Sequence, residues 1–255
     1  MQYEVAAYSD VGMKKKTNQD SVLIRVADTI QGEAILAVLC DGMGGLAKGE
    51  LASATLVKAF SDWFSEVFPG IIRSGYSVEK VSDSWKKLIN RINCLIWDYS
   101  EKNNLRMGTT AVVLLLFQDK YLVMNVGDSR AYLLTNTIAQ ITKDQTYVQR
   151  EIDMGRMTLE EAERHSHRNV LLQCVGASEM VHPDVYQGKI VRNSVFLLCS
   201  DGFRHKVSAQ EIYEKMKPEA MVTYEQMMKN AEYLTDENKR RSEEDNISVA
   251  MVKIY

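Results

Sequence analysis

Three aspartates share one local context. Asp41 follows the apolar run AILAVLC, Asp201 follows VFLLCS, and Asp245 precedes ISVAMV. Each carboxylate stands at the end of an expected strand, beside glycine or asparagine in a tight turn, and Asp20 and Asp128 occupy similar boundaries. Strand ends distant in sequence can converge. Carboxylates gathered this way repel strongly unless a cation compensates them. Oxygen ligands, with no histidine or cysteine at a ligand spacing, point to Mg²⁺ or Mn²⁺, admit Ca²⁺ and disfavour zinc. A single Asp-Gly is only a turn, and spacing alone leaves both readings open. Lys14-Lys15-Lys16 lies just ahead of Asp20. A cation beside a two-metal centre suits a phosphate dianion, whose oxygens it helps neutralise in the ground and transition states. Lys14 and Lys16 read as a solvated loop, and the four histidines (His165, His167, His182, His205) as structural or solvated.

The elements that must position these residues follow from hydrophobic period. Tyr3, Val5 and Ala7 alternate with more polar neighbours, as do Val22, Ile24 and Val26, and Ala34–Cys40 is a continuous run suited to a buried strand. The glycine cluster Gly42-Met43-Gly44-Gly45 predicts a loop. Ala52, Leu56, Ala59, Phe60 and Trp63 then recur at helical spacing, as do Trp85, Leu88, Ile89, Ile92, Leu95, Ile96 and Tyr99, with a loop expected around Pro69–Gly75. Strands return at Ala111–Phe117, Lys120–Val126 and Ala131–Leu134, the last two separated by Gly127-Asp128-Ser129-Arg130, which reads as a hairpin turn. Thr158 with Glu161, and Ser208 with Glu211, are capping-box patterns. A strand at Val195–Cys199, a helix over Tyr224–Leu234 and a final strand at Ile247–Val252 complete the chain. Strands and helices do not strictly alternate, so two antiparallel sheets with helices packed outside fit better than a doubly wound parallel sheet.

Composition excludes several classes. A net charge of -3, from 31 basic and 34 acidic residues, argues against a domain that grips nucleic acid. The four cysteines form no Cys-x-x-Cys pair, which predicts free thiols in a reducing compartment. The start, MQYEVAAYSDVG, is unlike an export signal, and no apolar run approaches a membrane span. With no linker composition in 255 residues, one cytoplasmic domain is expected.

Eight motifs in fixed order then resemble the metal-dependent serine/threonine protein phosphatase family of the PP2C type, in its compact bacterial form. They are SDVGMKKKTNQD at 9–20, VLCDGMGG at 38–45, MGTTA at 107–111, NVGDSRAYL at 125–133, KDQT at 143–146, RNVLLQCVG at 168–176, LLCSDG at 197–202 and EDNISV at 244–249. The resemblance implies an α+β fold, a four-layer α/β/β/α sandwich of two antiparallel β-sheets flanked by helices, over residues 1–255, with a variable flap at about 147–168. It implies two Mn²⁺ or Mg²⁺ ions. Asp41 would bridge both, the Gly42 carbonyl would bind the second, and Asp201 and Asp245 would complete the first. Asp128, with Asp201, would bind a third and weaker ion. Asp20 would orient water and Lys15 would meet phosphate. Water or hydroxide bridging the two ions would attack phosphorus without a phosphoenzyme. The implied partners are phosphoprotein substrates of a cognate serine/threonine kinase, with the enzyme a monomer that binds neither nucleic acid nor membrane.

Three departures stand against that pattern. Lys15 replaces an arginine, keeping charge but losing the bidentate fork. Gln19 replaces a common glutamate, and Gln145 a common histidine. A silent phosphoprotein-binding regulator on the same fold is the alternative that these changes favour; intact Asp41, Asp201 and Asp245 oppose it. A two-metal nuclease would need a basic groove, which the net charge does not support.

Overall fold

A strand buried on both faces must be apolar at every position, and the segment from Ala34 to Cys40 meets that demand. In the computed structural model, which describes residues 2–43 and 48–255, the chain runs β1 (Tyr3–Asp10), β2 (Ser21–Thr29), β3 (Gly32–Cys40), β4 (Gly42–Met43), α1 (Gly49–Glu66), α2 (Phe68–Arg73) and α3 (Val78–Asn103). Next come β5 (Gly108–Thr109), β6 (Ala111–Phe117), β7 (Lys120–Val126), β8 (Arg130–Leu134), β9 (Ile138–Gln140), α4 (Tyr147–Asp153) and α5 (Leu159–Arg164). The chain ends with β10 (Asp184–Lys189), β11 (Ser194–Cys199), α6 (Ala209–Met216), α7 (Tyr224–Arg240) and β12 (Ile247–Ile254). Gly44 and Gly45 of the expected glycine loop lie outside the described residues.

Two antiparallel sheets form, in the orders β1-β12-β11-β8-β9 and β10-β7-β6-β3-β2. Alternation sorts their side chains into three cores. Ile35, Ala37 and Leu39 of β3 meet Phe196, Leu198, Ala250 and Val252 between the sheets. Leu36, Val38 and Cys40 face the other way, onto Leu56, Phe60 and Trp63 of α1 and Trp85 and Ile89 of α3. On the far side Leu197, Cys199, Val249 and Met251 bury Ile212 of α6 and Met227, Ala231 and Leu234 of α7. The result is the expected four-layer α/β/β/α sandwich.

Several local expectations change. Phe68–Arg73 is helical rather than a loop, because Pro69 sits in the first turn, where its missing N–H costs nothing, and Phe68 and Ile72 are buried. Phe68 packs against Trp63, Phe64 and Phe117, which anchors the turn of helix to the core. Leu95 and Tyr99, counted in the apolar stripe of α3, are exposed. Gly127–Arg130 is not a hairpin turn: β7 pairs with β6 and β10, whereas β8 pairs with β11 and β9 in the other sheet. The four residues carry the chain from one sheet to the other. Helix α7 runs to Arg240, six residues beyond Leu234, and β9 and β10 are strands additional to those expected from the sequence. Both capping boxes form, with Thr158 and Ser208 accepting from the amides of Glu161 and Glu211. No helix among the described residues is long and apolar enough to cross a membrane.

Candidate functional site

Antiparallel register brings the chemistry-bearing strand ends to one pole. Ser21 pairs with Cys40 and Ala111 with Val126, so Asp20, Asp41 and Asp128 leave the same end of one sheet. Cys199 pairs with Val249 and with Arg130, so Asp201 and Asp245 leave the matching end of the other. The five carboxylates feel one another. Burial raises the Asp41 carboxyl well above the usual carboxylate range, and the charges of Asp20, Asp201, Asp128 and Asp245 add to it. Burial pushes Asp20 up to about 7, with Asp201 and Asp245 contributing and the Ser248 and Ser200 hydroxyls opposing. Asp128 is likewise pushed up to about 7, chiefly by burial and then by Asp201, against the pull of Arg204.

Backbone hydrogen bonds hold the turns that carry Asp41, Asp128 and Asp245. The Asp41 amide donates to Thr110 Oγ1 at 3.0 Å, and the Asp41 carbonyl accepts from the Thr110 amide at 2.8 Å and Thr109 Oγ1 at 3.0 Å. Those threonines belong to the MGTTA segment. Gly42 packs against backbone on two sides: a Cβ there would stand 2.4 Å from both the Gln19 and Gly49 carbonyl oxygens. Gly127, at φ +98°, makes the crossing to Asp128. Its amide donates to Gln145 Oε1 at 2.9 Å, while its carbonyl accepts from the Gln145 amide at 2.9 Å. Asn246 ties the N-terminal loop to the Asp245 turn, accepting from the Gln19 amide and donating to the carbonyls of Val11 and Thr17. That tie places Lys15 Nζ 2.8 Å from Asp245 Oδ1. Burial works against the ammonium, but Asp245, Asp41 and Asp201 outweigh it and raise the Lys15 pKa.

Sequence reasoning missed the layer behind these residues. Arg204, largely buried, donates to the Asp128 carbonyl at 3.0 Å and to Asp144 Oδ2 at 3.4 Å, and Asp144 is gripped at both oxygens by Arg130 at 2.7 Å. His205 stands between Asp201 and Glu243, 3.5 Å from each. Burial disfavours its charge, but Glu243 and Asp201 together raise its pKa. The offset of four residues from Asp201 was the available signal. His165 and His167 instead pack with Tyr147 at the start of α4, ring centroids 5.4–5.7 Å apart.

The donor set suits a hard divalent cation. Both Asp20 oxygens and Asp201 Oδ1 are buried without a hydrogen-bond partner. The Ser248 and Ser200 hydroxyls near Asp20 are engaged elsewhere, with Ser9 Oγ and with Ser248 backbone. Orphaned carboxylate oxygens carry a desolvation cost that a cation would remove. Among the described residues no three acidic, histidine or cysteine side chains stand grouped around one point as a metal would require.

The sequence profile of the protein phosphatase 2C family matches residues 13–241. The chain belongs to that family. With it the chain is a serine/threonine phosphatase of the bacterial type. It is 29% identical to the serine/threonine phosphatase stp of Listeria monocytogenes, over 86% of this chain and 84% of that protein. The fold is similar to that of serine/threonine phosphatase Stp1 from Staphylococcus aureus, at TM-score 0.85 and 28% identity, covering 100% of this chain and 96% of that one. It is also similar to the catalytic domain of PstP in complex with two manganese ions, at TM-score 0.79 and 31% identity, covering 98% and 97%. In this phosphatase the departures have structural uses. Gln145 needs both halves of its amide, because Nε2 donates to Asp184 Oδ2 at 2.9 Å while Oε1 holds Gly127. Gln19 Nε2 donates to Glu50, and its carbonyl accepts from the Gly42 amide and the Ser53 hydroxyl.

Proposed function

We propose that this phosphatase hydrolyses phosphoserine and phosphothreonine monoesters on cytoplasmic proteins, the products of a serine/threonine kinase, as a monomer that holds two Mn²⁺ or Mg²⁺ ions. The observation that carries the reading is a pole of buried, mutually repelling carboxylates with unpartnered oxygens. Asp41, Asp201, Asp245 and the Gly42 carbonyl would hold the two ions, and Asp128 with Asp201 a third, weaker one. When bound, the ions supply Lewis acidity that lowers the pKa of water and neutralises phosphate oxygens.

The chain's own residues do the rest. Thr109 and Thr110 hold the backbone of Asp41, the amide and the carbonyl on either side of the carboxylate-bearing Cα, so the turn that presents it needs little reorganisation as charge develops. Asp20, buried and without a hydrogen-bond donor of its own, accepts from water and orients it. Lys15, with its side chain 40% exposed, can swing from Asp245 to a phosphate oxygen. Covalent catalysis by the buried thiols is disfavoured, because burial pushes Cys174 and Cys199 up to about 12 and Cys40 higher still.

The test is phosphate release from phosphoserine and phosphothreonine peptides with Mn²⁺, with Mg²⁺ and with chelator, beside Asp201→Asn. Release that needs metal and falls at least a hundredfold in Asp201→Asn, about 2.7 kcal/mol of transition-state stabilisation, supports the reading. A folded protein that binds Mn²⁺ and phosphopeptide yet releases no phosphate would mark a silent regulator instead.

A further inference from the structure

Glu243, which is buried, and His205, whose side chain is 27% exposed, are titratable groups that the reaction above does not use. Glu243 Oε1 accepts the amides of Glu244 at 2.8 Å and Asp245 at 3.0 Å, which folds the turn that presents Asp245. Its other oxygen, Oε2, is buried without a hydrogen-bond partner and faces His205 Nδ1 at 3.5 Å, in a residue only 4% exposed. Across the ring, Nε2 faces Asp201 Oδ2 at 3.5 Å. The imidazole is itself placed by backbone, its amide donating to the Asp201 carbonyl at 3.0 Å. Glu243 is placed from the other side, its amide donating to the Asn238 carbonyl of α7 at 2.9 Å. Both separations are longer than a close hydrogen bond, so the ring acts as an electrostatic spacer between the carboxylates.

From this we infer that His205 and Glu243 are positioning residues, a bridge that couples the loop carrying Asp201 to the loop carrying Asp245. The two loops belong to adjacent strands, β11 and β12, but leave them in opposite chain directions. Register alone therefore fixes their backbones and not their carboxylates. The bridge sets the spacing of Asp201 and Asp245, so that the pair meets a divalent cation already arranged. Groups behind the ligands commonly govern metal affinity in this way. The inference rests on the proposal that these two aspartates share a cation.

Mn²⁺ affinity decides the matter. Free Mn²⁺ is followed by its electron paramagnetic resonance signal during titration of chelator-stripped protein. The proteins are wild type, Glu243→Gln, His205→Ala and the double variant. Glu243→Gln keeps a carbonyl oxygen for the two amides, so it leaves the turn intact should His205→Ala fail to fold. Each single variant is expected to bind Mn²⁺ at least tenfold more weakly, with the metal-free urea midpoint near that of wild type. The double variant should be no worse than the weaker single, because one bridge is broken either way. Phosphate release should return towards wild type at saturating Mn²⁺, which a general packing defect would not do. Wild-type affinity in Glu243→Gln, or losses that multiply in the double variant, would overturn the bridge while leaving the metal centre standing. A wild type that binds no Mn²⁺ would overturn both.

Discussion

Any phosphate that Lys15 binds must draw its ammonium from the Asp245 carboxylate, 2.8 Å away. A cation held by Asp245 would weaken that pair and release the lysine, so metal and phosphate binding should reinforce each other. Lys15→Ala is expected to lower kcat/KM for a phosphopeptide about tenfold to a hundredfold, with KM carrying most of the change. Lys15→Arg should lower KM by restoring a planar fork, and steady-state kinetics at saturating Mn²⁺ would check both. An unchanged KM in both variants would remove Lys15 from the phosphate site. Gly42 is constrained differently. A Cβ there would meet two backbone oxygens at 2.4 Å, so Gly42→Ala must displace β4 or the start of α1. The expected cost is about 1–3 kcal/mol in urea unfolding, together with weaker Mn²⁺ binding. The side chains of Asp41, Asp201 and Asp245 were legible from their strand-end context. Arg204 and the His205–Glu243 pairing were not, because those contacts join residues more than thirty positions apart.

At the scale of elements, what could be read depended on whether a segment carries its own period. The helices α1 and α3 bury a stripe at three- and four-residue spacing, β6 buries every position and β3 every position from Ala34 to Cys40, so each could be read locally. The strand β10 is largely half-buried or exposed and β9 is three residues long, so neither has a pattern to find. The segment Gly127–Arg130 has the composition of a hairpin turn, but its geometry is decided by the partners of β8, which lie in the opposite sheet. Local chemistry cannot distinguish a turn between paired strands from a crossing between sheets. The crossing matters for function, since it delivers Asp128 to the pole. Capping is the opposite case, wholly local. Ser208→Ala removes the oxygen that accepts the Glu211 amide at 3.2 Å, and should cost about 1 kcal/mol in urea unfolding with kcat unchanged. A loss of activity at constant stability would show that α6 is coupled to the site.

At the scale of the molecule, two sheets cored on three surfaces supply the rigidity that keeps acidic groups together against their repulsion. That arrangement fixes the sign of an acid–base response. Without metal, Asp20 and Asp128 are raised from the ordinary 3.8 to about 7 in the folded chain, mainly by burial. Between those values the native state keeps protons that the unfolded chain has released. Stability of the metal-free protein therefore falls as pH rises from about 4 through 7. His205, whose pKa is also raised, adds a contribution present below about 6.5 and lost as pH climbs through its folded value. Surface carboxylates such as Glu211, held down to about 2 by Arg241, act with the opposite sign, but only below about 4.5. Chelator-stripped protein should thus show a higher urea midpoint at pH 5.5 than at pH 8. Added Mn²⁺ should raise the pH 8 value more than the pH 5.5 value, because a cation takes over the compensation that protons give at low pH. Asp20→Asn should flatten the metal-free profile. A midpoint that rises from pH 5.5 to pH 8 without metal would mean that the carboxylates are compensated by the protein itself, and the case for a cation at this pole would lose its electrostatic basis.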